Sequence, residues 1–119
     1  MWNREASIEF LNKNSGFQSR GRCAEAVRKA IEAGGIKLHR HGSAKDYGAS
    51  LLQAGFAIVR TPDAQTGDVV VIDGFIGHRH GHIAMFNGDI WVSDFKQNSN
   101  VYPGRSYTLH APAYVIYRY

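Results

Sequence analysis

Cysteine is almost absent from this chain: Cys23 stands alone among 119 residues. One thiol cannot close an internal disulfide, nor can it build a cysteine-rich zinc site. Proline is scarce, with three residues, and no repeat, linker or low-complexity stretch interrupts the chain. No apolar run approaches the roughly 18 residues that a membrane-spanning helix needs. The opening Met1-Trp2-Asn3-Arg4-Glu5 has no apolar core of the kind that marks a secretory signal. The expectation is a protein made in the cytoplasm without a signal peptide. Basic runs are missing too, although 14 basic residues face 10 acidic ones and leave a net charge of +4. That mild excess suits an anionic partner such as nucleic acid, a wall polymer or a membrane surface.

What is present is ordinary globular composition, 44% hydrophobic and 20% charged, which excludes intrinsic disorder and fibrous repeats. The length leaves room for one core, so a single domain over residues 1–119 is expected. Periodicity predicts a helix from Asn3 to about Lys13. It predicts another in which Cys23, Ala26, Val27, Ala30 and Ile31 share one face, with Gly34-Gly35 as its stop. Ser43 and Asp46 have capping-box spacing and predict a third helix, from Ser43 to Gln53. Strands follow at Phe56–Arg60, Asp68–Asp73, His82–Phe86, about Ile90–Phe95 and Tyr114–Tyr119, with a turn-rich loop from Pro62 to Gly67. Helices first and strands after predict an α+β fold, helices packed on a mostly antiparallel sheet.

Two features carry chemistry. Cys23 falls at a helix start, where unpaired backbone N–H groups favour a thiolate, and Arg20 and Arg22 stand close by in sequence. It is also in phase with the apolar face, as a small buried hydrophobe would be. Histidines cluster at His78-Arg79-His80-Gly81-His82, and histidine is the usual general base near neutral pH. If residues 87–89 form the hairpin loop, Phe86 pairs with Ile90 and His82 lies opposite Asp94, where a carboxylate orients an imidazole. If Asn87-Gly88 is the whole loop, Ser93 lies opposite His82 instead. Alternation of His78, His80 and His82 also fits metal ligation, but Gly77 and Gly81 argue for a loop and no further ligand is evident. His39, His41 and His110 read as surface residues.

Three segments in order resemble the NlpC and CHAP groups of papain-like cysteine peptidases and amidases, which act on bacterial peptidoglycan. They are Cys23-Ala24-Glu25-Ala26-Val27, Gly67-Asp68-Val69-Val70-Val71, and Gly81-His82-Ile83-Ala84-Met85-Phe86 with the strand holding Asp94. Residues 19–35, with Ser43–Gly48, also resemble small wall-degrading toxins and phage-type enzymes. Arg22 stands where the family usually has Asp or Gln, and Asp94 where it more often has His, Asn or Glu. The resemblance implies a papain-like architecture and a cysteine amidase or endopeptidase of stem peptides. Cys23 would be the nucleophile, His82 the base and Asp94 its orienting group. The Cys23 N–H would bind the oxyanion, with Gln18 as a candidate second donor. It implies no cofactor and no metal, a monomer, and action in the periplasm or wall after delivery or lysis. A toxin of this kind implies an immunity protein as partner. The alternative from another class is a small basic ribonuclease toxin using His78, Arg79, His80 and Lys96. A third is a binding module displaying Tyr102, Tyr107, Tyr114 and Tyr117.

Overall fold

Asn3 starts the first helix, α1 (Arg4–Asn14), by accepting the Ala6 N–H on its side-chain oxygen at 3.1 Å. This computed structural model describes residues 1–61, 63–98 and 100–119. Helix α2 (Cys23–Ala33) packs on α1 and buries Val27, Ala30 and Ile31, the face that the periodicity predicts. Gly34 then passes so close to Ser7, Asn3 and Trp2 that no side chain would fit there.

The single helix expected from Ser43 to Gln53 is instead a 3₁₀ turn, Ala44–Asp46, followed by α3 (Gly48–Gln53). The expected capping box is not formed. Ser43 turns its hydroxyl to His80 Nδ1, at 2.6 Å, rather than to its own helix start. Gly48 lies against the Tyr117 hydroxyl, in a gap that a Cβ would fill.

Five strands follow: β1 (Ala57–Val59), β2 (Val69–Ile72), β3 (His82–Phe86), β4 (Trp91–Val92) and β5 (Tyr114–Arg118). They form one antiparallel sheet in the order β1-β5-β2-β3-β4. The fold is α+β, as the order of elements predicts. Pro62, in the expected loop before β2, lies outside the described residues.

Central β2 is buried on both faces, which explains its unbroken Val69-Val70-Val71-Ile72 run. Val69 and Val71 join Ile83 and Met85 under α1 and α2. Val70 and Ile72 face the other way with Ala84, Trp91, Ile116 and Tyr107. Tyr107 belongs to α4 (Arg105–His110), a helix that sequence periodicity does not reveal. At the end of the sheet the fully buried Asp68 carboxylate accepts two bonds from Arg118, both 2.8 Å, joining β5 to the approach of β2. Among the described residues no helix is long and apolar enough to cross a membrane.

The β3–β4 hairpin departs from both expected registers. Phe86 pairs with Trp91 and Met85 with Val92, so residues 87–90 make the connection. The Asn87 side chain organises it by accepting the N–H groups of Asp89 and Ile90. Neither Asp94 nor Ser93 lies opposite His82. The chain reverses at 93–95, where Ser93 N–H bonds Phe95 O, and Lys96 then bridges back to Val92. Gln97 N–H closes this return on Trp91 O at 2.9 Å. The expected strand from Ile90 to Phe95 is therefore two residues of strand and a tight turn.

Candidate active site

The tight turn after β4 decides which side chain meets His82. The return strand brings Gln97 across from Trp91, onto the sheet face that carries His82 and Ala84. Gln97 Oε1 lies 2.7 Å from His82 Nε2. Its amide nitrogen donates to Val101 O at 3.2 Å, which turns the carbonyl end toward the ring. His82 therefore carries its proton on Nε2, and Nδ1 presents a lone pair. Asp94, expected in this role, is not bonded to the imidazole.

The Asp94 carboxylate instead reaches the segment before Cys23. Its Oδ2 accepts Arg20 N–H at 2.7 Å and Arg22 N–H at 3.1 Å. Helix α2 has no side-chain cap of its own, since Arg22 occupies that position. A carboxylate from the far side of the chain thus completes the helix start. Gly21, between the two arginines, takes a left-handed turn with φ of 68°. Removing this carboxylate leaves two N–H groups unpaired. Asp94→Ala is expected to lower unfolding free energy by about 1–3 kcal/mol, read as a lower midpoint in urea unfolding.

Cys23 is half-buried, and its sulfur lies against the backbone N–H groups of Ile83, Ala24 and Cys23 itself. Ile83 directly follows His82, so the nucleophile candidate sits at the start of the strand that holds the base candidate. The expected depressed thiol is not what this site produces. Burial pushes the Cys23 thiol above its ordinary value, the Asp94 charge adds to the rise, and the three N–H groups oppose it. Burial also holds His82 below its ordinary value, with the Gln97 bond and the Asp94 charge opposing. Both effects favour a resting thiol beside a neutral imidazole.

These shifts set a pH window for stability. His82 is depressed in the fold, so its contribution is complete above the ordinary 6.5 and is lost as pH falls toward the folded value. Cys23 is raised, so its contribution is complete below the ordinary 9.0 and is lost as pH rises through the folded value. Wild type is expected to lose stability on the acid side of this window more than His82→Gln does. Urea unfolding of both across pH checks this.

A cleft of about 790 Å³ opens at Cys23. It is walled by Arg22 and Glu25, by Gly42 and Ala44, by the 77–81 loop, and by Tyr107. A larger groove along α1, about 960 Å³ between Arg4, Ile8, Asn12 and Thr66, contains no histidine or cysteine. The three clustered histidines diverge. His78 packs on Phe75, His80 is held by Ser43, and His82 is held by Gln97. Among the described residues no three His, Cys, Asp or Glu side chains converge as metal ligands.

The ribonuclease set is not brought together. His78, Arg79 and His80 line the cleft, whereas Lys96 donates to Asn12 O, Ser15 O and the Ser15 hydroxyl. The tyrosines do not form a displayed array either. Tyr107 and Tyr117 are buried, Tyr102 donates to Pro112 O, and only Tyr114 is well exposed. Gln18 is exposed and does not line the cleft. His41, expected on the surface, shares a 2.7 Å bond with the buried Ser50 hydroxyl.

Neither the protein-family models nor the curated proteins compared with this chain match it. Solved structures do. The crystal structure of the type VI native effector–immunity complex Tae3–Tai3 from Ralstonia pickettii matches with 48% identity and a TM-score of 0.93, over 99% of this chain and 99% of that one. The selenomethionine form of the same complex matches with 50% identity and a TM-score of 0.90, over 94% of this chain and 98% of that one. A more distant match, the crystal structure of Ly7917, has 16% identity and a TM-score of 0.58, over 98% of this chain and 62% of that one, and shares the fold alone.

Proposed function

Because the chain belongs to the Tae3 family of type VI effectors, we propose that it is a cysteine hydrolase of amide bonds in peptidoglycan stem peptides. The observation that carries this reading is the His82–Gln97 bond, made one residue before Ile83, whose backbone N–H lies against the Cys23 sulfur. A side-chain carbonyl on Nε2 leaves Nδ1 as the base, the division of labour that a cysteine–histidine pair requires. The three-segment resemblance to NlpC and CHAP enzymes supports the same chemistry.

In this mechanism the Cys23 thiol gives its proton to His82 Nδ1 as Sγ attacks the amide carbonyl. His82 then donates that proton to the leaving nitrogen. Water hydrolyses the thioester, again with His82 as base. Gln97 holds the ring and its tautomer. Asp94 acts at a distance, by pinning the Arg20–Arg22 segment from which Cys23 emerges. As an effector of this family it would reach the wall by delivery. A producing cell would hold it in check with an immunity protein, the partner seen with the Ralstonia pickettii protein.

Gln97→Ala is expected to reduce kcat/KM by about 10- to 1,000-fold, because the imidazole loses its orienting acceptor and the bond that partly offsets the burial-driven fall in its basicity. Gln97→Glu places a carboxylate on Nε2 and raises the His82 pKa, which moves the acid limb of the pH–rate profile to higher pH. The reading as a whole is tested by turbidity of purified wall suspensions alongside incubation with RNA. Clearing of walls with intact RNA is expected. Cleavage of RNA that persists in Cys23→Ala would favour the ribonuclease alternative.

A further inference from the structure

Helix α4 is only six residues long, yet it carries a tyrosine into the cleft wall. Tyr107 is 7% exposed. Its ring is fixed on three sides. It meets Phe75 edge-on, with centroids 4.9 Å apart and planes at 85°. His78 packs at 5.2 Å and His82 at 5.9 Å. The ring therefore bridges the 77–81 loop and the base candidate on β3.

The Tyr107 hydroxyl makes no hydrogen bond among the described residues, whereas the buried Trp2 and the half-buried Tyr102 both use their polar atoms. None of the fully buried side-chain nitrogen or oxygen atoms described lacks a partner. Tyr107 lines the cleft that holds Cys23, close enough for a thiolate charge there to bear on its hydroxyl. A rigid ring that carries a hydroxyl donor in the wall of a cleft shared with a nucleophile is an arrangement for binding a developing negative charge. Gln18, the expected second donor, does not line that cleft.

We propose that the Tyr107 hydroxyl is a catalytic hydrogen-bond donor to the scissile carbonyl oxygen, completing the oxyanion site beside Cys23. The proposal rests on the cysteine-hydrolase reading above. As the S–C bond forms, the carbonyl π pair moves onto oxygen and the thiol proton passes to His82. Tyr107 donates a hydrogen bond to that oxygen and keeps its own proton. On collapse the π bond re-forms, the C–N bond breaks, and His82 protonates the leaving nitrogen. Burial, and then the negative charge of a Cys23 thiolate, push the Tyr107 hydroxyl up to about 12. It therefore stays a donor throughout the pH range in which His82 is an effective base.

Tyr107→Phe removes the hydroxyl and leaves the three ring contacts. With purified stem-peptide fragments as substrate, kcat is expected to fall roughly 100-fold with KM nearly unchanged. The thermal transition is expected to stay near wild type, and the assay is run well below it. Wild-type kcat in Tyr107→Phe would overturn the proposal. A raised KM with unchanged kcat would also overturn it, because the hydroxyl would then only hold the ground state. Cys23→Ala is assayed in parallel. If that variant keeps turnover, the hydrolase reading itself fails. If Cys23→Ala is inactive while Tyr107→Phe is fully active, only the role of Tyr107 fails.

Discussion

Cys23→Ala is expected to abolish wall hydrolysis, with a loss of kcat on the order of 10⁴- to 10⁶-fold. That corresponds to about 5–8 kcal/mol of transition-state stabilisation. Without sulfur there is no acyl intermediate, and neither His82 nor the backbone donors can substitute for one. Folding should survive. The site is half-buried, so alanine removes one polarisable atom without exposing a core. The charged thiolate is also disfavoured there by burial, so its loss removes no stabilising ion. Cooperative unfolding near wild type, with lost activity, is the expected pair of observations. Activity within a few-fold of wild type would end the mechanism.

His82→Ala is expected to cost at least about 10³-fold in kcat/KM, with a different secondary signature. The thiol depends on a base because burial holds its proton on at neutral pH. Removing the imidazole leaves activity to the small thiolate fraction, so the residual rate should climb with pH where wild type is flat. Structure suffers more than at Cys23. His82 is 6% exposed, packs against Tyr107 and Phe95, and supplies the partner of Gln97. Leaving the part-buried Gln97 amide oxygen unpaired costs up to about 1 kcal/mol, so this variant should unfold at lower urea than Cys23→Ala. His82→Gln, which retains a polar group of similar reach, should recover part of the stability and none of the turnover.

Much of the fold was legible because burial imposes period. Val27, Ala30 and Ile31 mark the face of α2, and the β-branched 69–72 run marks a strand covered on both sides. The start of α2 was legible too, and with it the place of Cys23. The hairpin was not, because turn chemistry there competes with strand propensity. Trp91, Val92 and Phe95 read as strand, yet Ser93 and Asp94 are turn formers, and the chain reverses at them. That reversal exchanges Asp94 for Gln97 at the histidine. Gln97 had no signal except its place just beyond a Ser-Asp turn. The capping role of Asp94 is formed between residues more than seventy positions apart, so no local spacing encodes it. Helix α4 is too short to show a period, so Tyr107 carried no mark of its position. The rise of the Cys23 thiol is hidden from sequence for a related reason: helix start and arginines are visible there, and depth of burial is not.

The most direct test is digestion of purified peptidoglycan in ¹⁸O-labelled water by wild type and by Cys23→Ala, with fragments identified by mass spectrometry. The account predicts that wild type releases stem-peptide fragments in matched pairs. One member carries a new amine, and the other a new carboxylate with solvent oxygen, while the glycan chains stay intact. Cys23→Ala should release none of them. Fragments cut between sugars, or the same peptide fragments from Cys23→Ala, would contradict it.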